Sequence, residues 1–224
     1  KKLKKFSNKL DISYYKQVIK INSRSWDNHY FQNYEKEETY IVFAEGMIFD
    51  HPDRILREGS INLEDRKKYY FNIKNLLKDL SKKFNKEIIV CLHPKNNISE
   101  KNDDFEGFKC FKYQTDKYIN KALIVLFHEG SSVVEAIMLK KKIINLGGKS
   151  LGPYVNKRSR LYCDLLDLKR INVDSYKKEL EELSLLDLEK RTNNYDNYIK
   201  NNIVIDTNTS GTEQIVDFLQ NFNN

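Results

Sequence analysis

Three short polar segments carry the side chains of this sequence that are best suited to bind an anion or move a proton. Each follows an apolar run with the length and β-branched composition of a buried strand. The segments are Glu45-Gly46 after residues 39–44, His93-Pro94 after residues 87–92, and residues 128–132 after Ala122–Phe127. An imidazole can donate a hydrogen bond to a phosphate oxygen, and a carboxylate can act as a base when its environment raises its pKa. The three segments are therefore candidates for a single site.

The His93-Pro94-Lys95 segment ends the second of these apolar runs. Proline fixes the chain just after the histidine and prevents the strand ladder from continuing. The imidazole would then lie at the mouth of a sheet, where it can donate to a phosphate or nucleotide oxygen. The alternative is a strand-ending turn in which the histidine is incidental.

The Gly130-Ser131-Ser132 segment opens a short apolar helix predicted over residues 133–139. Such a turn presents backbone N–H groups, two hydroxyls and the positive end of the helix dipole, which together suit a phosphate. The alternative is an ordinary serine N-cap. Glu135, in the first turn, could accept hydrogen bonds from ribose or sugar hydroxyls, or could simply interact favourably with the helix dipole.

Two acidic segments have weaker interpretations. Glu45 could contact a sugar hydroxyl or serve as a base, and the alternative is a solvated turn residue. Residues 50–53, Asp-His-Pro-Asp, resemble a metal-ligand cluster only superficially, because no second cluster at ligand spacing accompanies them. We therefore predict a structured loop there and no metal site.

Strands and helices alternate from residue 39 onward, which predicts an α/β fold with a parallel sheet and helices on both faces. The clearest helix covers Leu63–Phe84, with Tyr70, Ile73, Leu77 and other apolar residues on one face. Later elements are a strand over residues 143–146, a helix over 158–166, a strand over 170–173 and a helix over 212–222. In such sheets ligands bind at the carboxyl ends of the strands, which is where the three polar segments fall.

Composition limits the function classes without selecting one. The formal net charge is +7, from 39 basic and 32 acidic residues, but abundant Lys and Asn also fit a biased coding composition. Cys91, Cys110 and Cys163 have no paired spacing, which favours a reducing compartment. The sequence has no apolar run of about 18 residues. It also lacks a Walker phosphate loop, a Gly-x-Gly-x-x-Gly fingerprint and a nucleophile elbow.

The set of motifs resembles the C-terminal domain of GT-B glycosyltransferases, over residues 39–222. The likeness is to bacterial sialyltransferase-like and Kdo-transferase-like enzymes of capsule and lipopolysaccharide synthesis, in which His-Pro and Ser-Ser motifs bind the phosphate and nucleotide of a CMP-activated sugar. The matching residues here are His93-Pro94 and Ser131-Ser132. The resemblance implies a Rossmann-like nucleotide-sugar-binding domain, residues 39–224, after an arm or domain remnant, residues 1–38.

The same resemblance implies site residues and partners. Donor and phosphate binding would fall to His93, Pro94, Lys95, Gly130, Ser131, Ser132 and Glu135. Glu45 and His93 are the candidate catalytic residues, although Ala44-Glu45-Gly46 matches the family's acidic motif only in part. No metal and no cofactor beyond the nucleotide-sugar substrate are implied.

A glycan or glycolipid is the implied acceptor, at a cytoplasmic location with peripheral contact to the inner membrane. Too few residues precede position 39 to build the first GT-B domain, so a further domain or a partner chain is expected. Two other functions stay open: a non-catalytic nucleotide-sugar-binding module that serves a separate catalytic chain, and a nucleic-acid-binding protein, for which only the charge argues.

Overall fold

The computed structural model describes residues 19–30, 37–58, 62–96 and 103–222. Contacts divide the chain into two compact units, Gln32–Ile199 and a second unit formed by Lys1–Phe31 with Lys200–Asn224. Most of the predicted arm, residues 1–38, lies outside the described residues, and its division from residues 39–224 stays a prediction. No helix among the described residues is both long enough and apolar enough to cross a membrane.

The larger unit is built on a six-stranded parallel sheet, which confirms the predicted α/β fold class. The strands are β1 Tyr40–Ala44, β2 Glu87–Cys91, β3 Lys109–Phe111, β4 Ala122–Phe127, β5 Lys142–Gly147 and β6 Lys169–Asn172. Their order in the sheet is β3-β2-β1-β4-β5-β6. The direction of winding therefore reverses between β1 and β4, as in doubly wound nucleotide-binding folds.

Helices connect and follow the strands. In chain order they are α1 Arg24–Tyr30, α2 Pro52–Glu58, α3 Leu63–Phe84, α4 Thr115–Asn120, α5 Ser132–Met138, α6 Gly152–Leu166, α7 Lys177–Glu181, α8 Leu185–Arg191, α9 Tyr195–Asn202 and α10 Gly211–Phe222. Short 3₁₀ turns cover Asp103–Phe105, Lys149–Leu151 and Thr192–Asn194.

The long helix α3 has the bounds that its sequence pattern predicts. The Asn62 side chain accepts a hydrogen bond from the Glu64 N–H at 2.9 Å and caps the first turn. The helix ends where Asn85 adopts a left-handed conformation, with φ of 50°. Its buried stripe covers one face of the sheet, because apolar residues recur every three or four positions.

The core has two layers, one on each face of the sheet. Side chains alternate along β1, so Ile41 and Phe43 belong to the layer that contains α3, whereas Val42 and Ala44 belong to the other. Strand β4 is buried along its whole length, as expected for a central parallel strand. This rigid centre fixes the loops that follow β1, β2 and β4.

Most observed bounds lie within one residue of the predicted ones, and helix α6 differs most. Strand β5 runs from Lys142 to Gly147, longer than predicted at both ends. Helix α6 begins at Gly152 and not at residue 158, because Pro153 occupies the first turn, where its missing N–H costs nothing. Residues 152–157, which precede the predicted helix, therefore form its first turns.

In the described part of the smaller unit, two side chains join residues 22–27 to residues 206–212 by hydrogen bonds. The Asn22 carboxamide is 2% exposed and bonds the backbone of Asp206 and Thr209 at 2.6 to 3.1 Å. The Asp27 carboxylate accepts from the Gly211 N–H at 2.6 Å and the Thr212 N–H at 3.1 Å, so it caps α10 from outside the helix.

Candidate functional site

Strand register aligns the three predicted polar segments at one edge of the sheet. Ala44, the last residue of β1, pairs with Cys91 of β2 on one side and Phe127 of β4 on the other. The second residues past these strand ends are therefore level with one another, and they are Gly46, His93 and Glu129. This edge includes the point between β1 and β4 where the winding reverses, which is where such folds bind ligands.

Gly46, His93 and Glu129 line one cavity of about 160 Å³. The remaining wall comes from the β1–α2 loop, α2 and α6; the lining residues besides Gly46, His93 and Glu129 are Ile48, His51, Asp53, Arg54, Gly130, Tyr154 and Arg158. A Cβ added at Gly46 would lie 3.4 Å from the Glu129 carbonyl oxygen, so the two loops approach each other closely. Each of the three predicted polar segments therefore contributes at least one residue to the cavity wall. The first segment contributes only its glycine, Gly46.

The His93 ring has a defined tautomer in this arrangement. Its Nδ1 atom accepts a hydrogen bond from the Lys95 backbone N–H at 3.2 Å, so the neutral ring carries its hydrogen on Nε2. Burial lowers the pKa of His93, and the neighbouring His51 and Lys95 lower it further. A neutral imidazole with its hydrogen on Nε2 can donate a hydrogen bond to an anionic ligand. Pro94 and Lys95 are themselves exposed.

Glu45 immediately precedes Gly46 in the chain, and its side chain is buried. It is 5% exposed, and its Oε2 accepts a long hydrogen bond, 3.4 Å, from the His93 backbone N–H. Burial raises the pKa of this carboxyl to about 7, against the lowering effect of hydrogen bonds from His93 and Met47. The interpretation of Glu45 as a solvated turn residue is therefore wrong. The carboxyl lies behind His93 and does not line the cavity, and its catalytic role stays a prediction.

His128 turns away from the cavity and into the core. It is fully buried, its Nε2 is 3.0 Å from the Tyr69 hydroxyl, and its ring contacts Phe43 edge-on at 5.5 Å. Burial lowers its pKa to about 3, so the ring is neutral near pH 7. The alternation of side chains along β4 explains this position, because His128 has the same parity as the core residue Leu126. The expectation that His128 belongs to the ligand edge is wrong.

The predicted serine and glutamate positions lie beside the cavity but do not line it. Ser131 is exposed and occupies the N-cap position of α5, but its side chain makes no capping hydrogen bond. Ser132 is half-buried and Glu135 is 3% exposed on the inner face of α5. Their donor-binding roles stay predictions.

Three of the charged side chains on the cavity wall, those of Arg54, Glu129 and Arg158, form ion pairs. Arg158 meets Glu129 at 2.8 Å, and burial raises the pKa of Glu129 against the influence of that guanidinium. Arg54 is 5% exposed, bonds Glu58 at 3.0 Å and donates to the Ile48 carbonyl at 2.8 Å. These ion pairs fix the shape of the cavity around the rings of His51 and His93.

His51 was not predicted as a site residue; residues 50–53 were predicted to form a structured loop, but helix α2 begins within them at Pro52. The signal was available, because His51-Pro52 repeats the dipeptide His93-Pro94. Among the residues that the structure describes, no group of three or more His, Cys, Asp or Glu side chains is arranged to hold a metal ion.

A second, larger cavity lies beside β5 and β6. This groove of about 710 Å³ is lined by one side of α6 and by strand ends; its charged residues are Lys149, Lys157, Arg160, Asp164, Arg170 and Glu179. Lys157, Arg160 and Asp164 are exposed. None of the three predicted polar segments contributes to this groove, and we therefore place the candidate site in the smaller cavity at the switch point.

No protein-family model matches the chain, and no match is found among curated proteins. The similar solved structures include named glycosyltransferases. The wall teichoic acid polymerase TagF is 14% identical with a TM-score of 0.48, over 88% of this chain and 48% of that chain. The glycotransferase of kitacinnamycin is 9% identical with a TM-score of 0.38, over 75% of this chain and 39% of that chain.

A third similar structure is the UDP-GlcNAc 2-epimerase of Methanocaldococcus jannaschii in complex with UDP-GlcNAc and UDP. It is 15% identical with a TM-score of 0.40, over 88% of this chain and 49% of that chain. The present chain thus spans less than half the length of each of these three structures.

Proposed function

We propose that this chain binds the nucleotide part of an activated sugar and is the donor-binding domain of a GT-B glycosyltransferase. One observation carries the proposal: Gly46, His93 and Glu129 share a register row at the switch point and line one cavity. Nucleotides bind at this place in doubly wound sheets. The choice of glycosyl transfer over other nucleotide chemistry rests on the resemblance carried by His93-Pro94 and Ser131-Ser132.

The proposed reaction is direct displacement at the anomeric carbon of the donor sugar. An acceptor hydroxyl forms the new bond, the bond to the donor phosphate breaks, and the acceptor proton passes to a base. The Nε2–H of His93 donates to the leaving phosphate, with further donors from the turn at Gly130, Ser131 and Ser132. Fixed donors aimed at developing negative charge are an effective source of catalysis, and they make a metal ion unnecessary for this step. The resemblance points to a CMP-linked donor and a surface-polysaccharide acceptor.

Glu45, which lies behind His93 and not on the cavity wall, is the proposed base on the strength of the resemblance, and its geometry supports a second, positioning role. A carboxyl whose pKa is about 7 has the right proton affinity for general base catalysis near neutral pH. Its oxygen also holds the His93 backbone N–H, so it positions the turn that carries the phosphate donor. The two roles are separable, because Glu45→Gln keeps a hydrogen-bond acceptor but cannot take up a proton.

The second candidate function is a non-catalytic nucleotide-sugar-binding module. Its support is that Glu45 does not line the cavity, which leaves the catalytic base to another domain or chain. Under this alternative Glu45→Gln preserves both nucleotide binding and any transfer supported by the partner. Under the enzymatic proposal the same variant binds nucleotide but loses transfer.

Calorimetric titration of the chain with CMP, UDP and GDP tests the proposal. We expect saturable binding of at least one nucleotide, weakened about 10-fold or more by His93→Gln, since a hydrogen bond to a charged group contributes roughly 1.5–3 kcal/mol. Arg160→Gln, on the larger groove, is the matched control and should bind as the parent does. If no nucleotide binds, or if Arg160→Gln has the larger effect, the proposal is wrong.

A further inference from the structure

The dipeptide His-Pro occurs twice in this chain, at residues 51–52 and 93–94. The sequence has only four histidines and three prolines, so half of the histidines precede two of the prolines. The proposed function uses His93 alone. His51 enters the same cavity from the loop between β1 and α2 and has no role so far.

Both His-Pro turns have the same local hydrogen bond. The His51 Nδ1 atom accepts from the Asp53 backbone N–H at 3.2 Å, just as the His93 Nδ1 accepts from the Lys95 N–H at 3.2 Å. In each neutral ring the hydrogen therefore resides on Nε2. No described residue accepts a hydrogen bond from either Nε2. The cavity thus has two equivalent donors that lack an acceptor within the described chain.

The two rings are close enough to serve one ligand. Their centroids are 5.5 Å apart at an interplanar angle of 79°, and both line the cavity of about 160 Å³. Each Nδ1 lone pair is already occupied and each Nε2 carries a hydrogen. This pair therefore offers donors and no free lone pair, which suits an anion and not a metal cation.

The loop that carries His51 is held in place from both sides. Asp50 accepts from Arg66 at 2.6 Å, and the same guanidinium bonds Asp104 at 3.1 Å. On the other side, the Arg54 backbone N–H donates to the His51 carbonyl at 3.0 Å. A donor fixed before the ligand arrives loses little conformational entropy on binding, which favours affinity.

We infer that His51 is a second phosphate-binding residue, which with His93 forms a two-histidine clamp on the phosphate of the nucleotide donor. The inference deepens the proposed function and rests on it for the identity of the ligand, but the clamp itself needs only a phosphate. Each ring donates one Nε2–H to phosphate oxygens, and the phosphate is held between the β1–α2 turn and the turn after β2.

Nitrogen-15 NMR of the imidazole side chains in the whole chain tests the clamp directly. Inorganic pyrophosphate is the first probe, followed by CMP and UDP, with the corresponding nucleosides as controls without phosphate. Pyrophosphate and at least one nucleotide should shift the Nε2 signals of both His51 and His93. The buried His128 signals should not move, and the nucleosides should shift neither clamp residue.

Affinities of three variants complete the test. His51→Gln and His93→Gln should each weaken nucleotide binding about 10-fold or more. The double variant should lose less than the product of the two single losses, because both rings hold one group. His29→Gln, in the other compact unit, is the matched histidine control and should bind as the parent does.

The outcomes separate the inference from the proposed function. If a nucleotide binds while the His51 signal stays unshifted and His51→Gln binds as the parent does, the clamp is wrong and the proposed function stands. If pyrophosphate shifts both rings but no nucleotide binds, the clamp stands and the proposed function fails. If no probe shifts either ring, both are wrong.

Discussion

The cavity at the switch point and the groove beside β5 and β6 differ in size and in what surrounds them. The groove is larger, about 710 Å³ against about 160 Å³, but its charges lie on exposed side chains such as Lys157 and Arg160. The smaller cavity has two donor-bearing rings on its wall and, beneath it, Glu45 at 5% exposure and the fully buried His128. Beside the smaller cavity, burial raises the pKa of Glu45 to about 7 and lowers that of His128 to about 3.

The difference indicates that the place where several strand ends meet is a better guide to a functional site than the volume of a cavity. Parallel strands of matched register bring their following residues to one edge, and the reversal of winding between β1 and β4 opens a crevice there. The groove lies beside the ends of β5 and β6, where the direction of winding does not reverse. Four predictions test the comparison, from the largest expected effect to the smallest.

Replacing Glu45 by Gln should stabilise the protein at alkaline pH. The folded-state pKa is about 7, above the ordinary value of 4.5, so the native state holds more protons than the unfolded state between these values. The unfolding free energy therefore falls as pH rises through this window, and the penalty is complete above pH 7. We expect Glu45→Gln to be more stable by roughly 2–4 kcal/mol at pH 8 and equal to the parent near pH 4.

Urea unfolding at several pH values measures this difference. Asp164→Asn, an exposed carboxylate on the groove, is the matched control and should change the unfolding free energy by less than about 0.5 kcal/mol at either pH. An equal response of the two variants would show that the two regions do not differ in burial as described.

Replacing His93 by Gln should weaken nucleotide binding about 10- to 100-fold, because one charge-assisted hydrogen bond to phosphate is lost. Isothermal titration calorimetry measures the effect, and circular dichroism confirms that the variant is folded. If the His93→Gln variant is as stable as the parent and binds nucleotide with the same affinity, His93 is not part of the site.

Replacing Tyr69 by Phe should destabilise the protein by about 1 kcal/mol, because the His128 Nε2 loses its partner at 3.0 Å. The effect should be confined to stability, since His128 faces the core, and thermal unfolding together with nucleotide titration measures both quantities. A loss of nucleotide affinity beyond that explained by unfolding would mean that His128 belongs to the ligand edge after all.

Replacing Arg160 or Lys157 by Gln on the groove should change nucleotide affinity less than about twofold in moderate salt, since exposed charges interact weakly at a distance. Fluorescence anisotropy with a labelled nucleotide is sensitive enough for this comparison. If either groove variant loses as much nucleotide affinity as His93→Gln does, and the loss depends on salt, the binding site is the groove.

Much of the fold could be predicted from the sequence, because its signals are local. The helix Leu63–Phe84 is marked by apolar residues at helical spacing, by the N-cap residue Asn62 and by Asn85, which ends it in a left-handed conformation. The start of α6 was predicted too late, at residue 158 and not at Gly152, although the proline at position 153 is favourable in the first turn of a helix.

The site could be predicted only in part. The sequence indicates which residues follow each strand, and register then brings Gly46, His93 and Glu129 together. It cannot show that Glu45 and His128 are buried, because burial depends on which neighbouring strands and helices cover a turn. His51 was missed for a related reason, since its approach to His93 joins positions that are distant along the chain.

Chemical-shift mapping during nucleotide titration tests the central claim most directly. The claim is that the cavity at the switch point, and not the larger groove, holds the nucleotide. It predicts that CMP or UDP shifts the signals of Gly46, His93 and Gly130 while those of Arg160 and Arg170 stay in place. Shifts confined to the groove residues, or none at either cavity at saturating nucleotide, would contradict the claim.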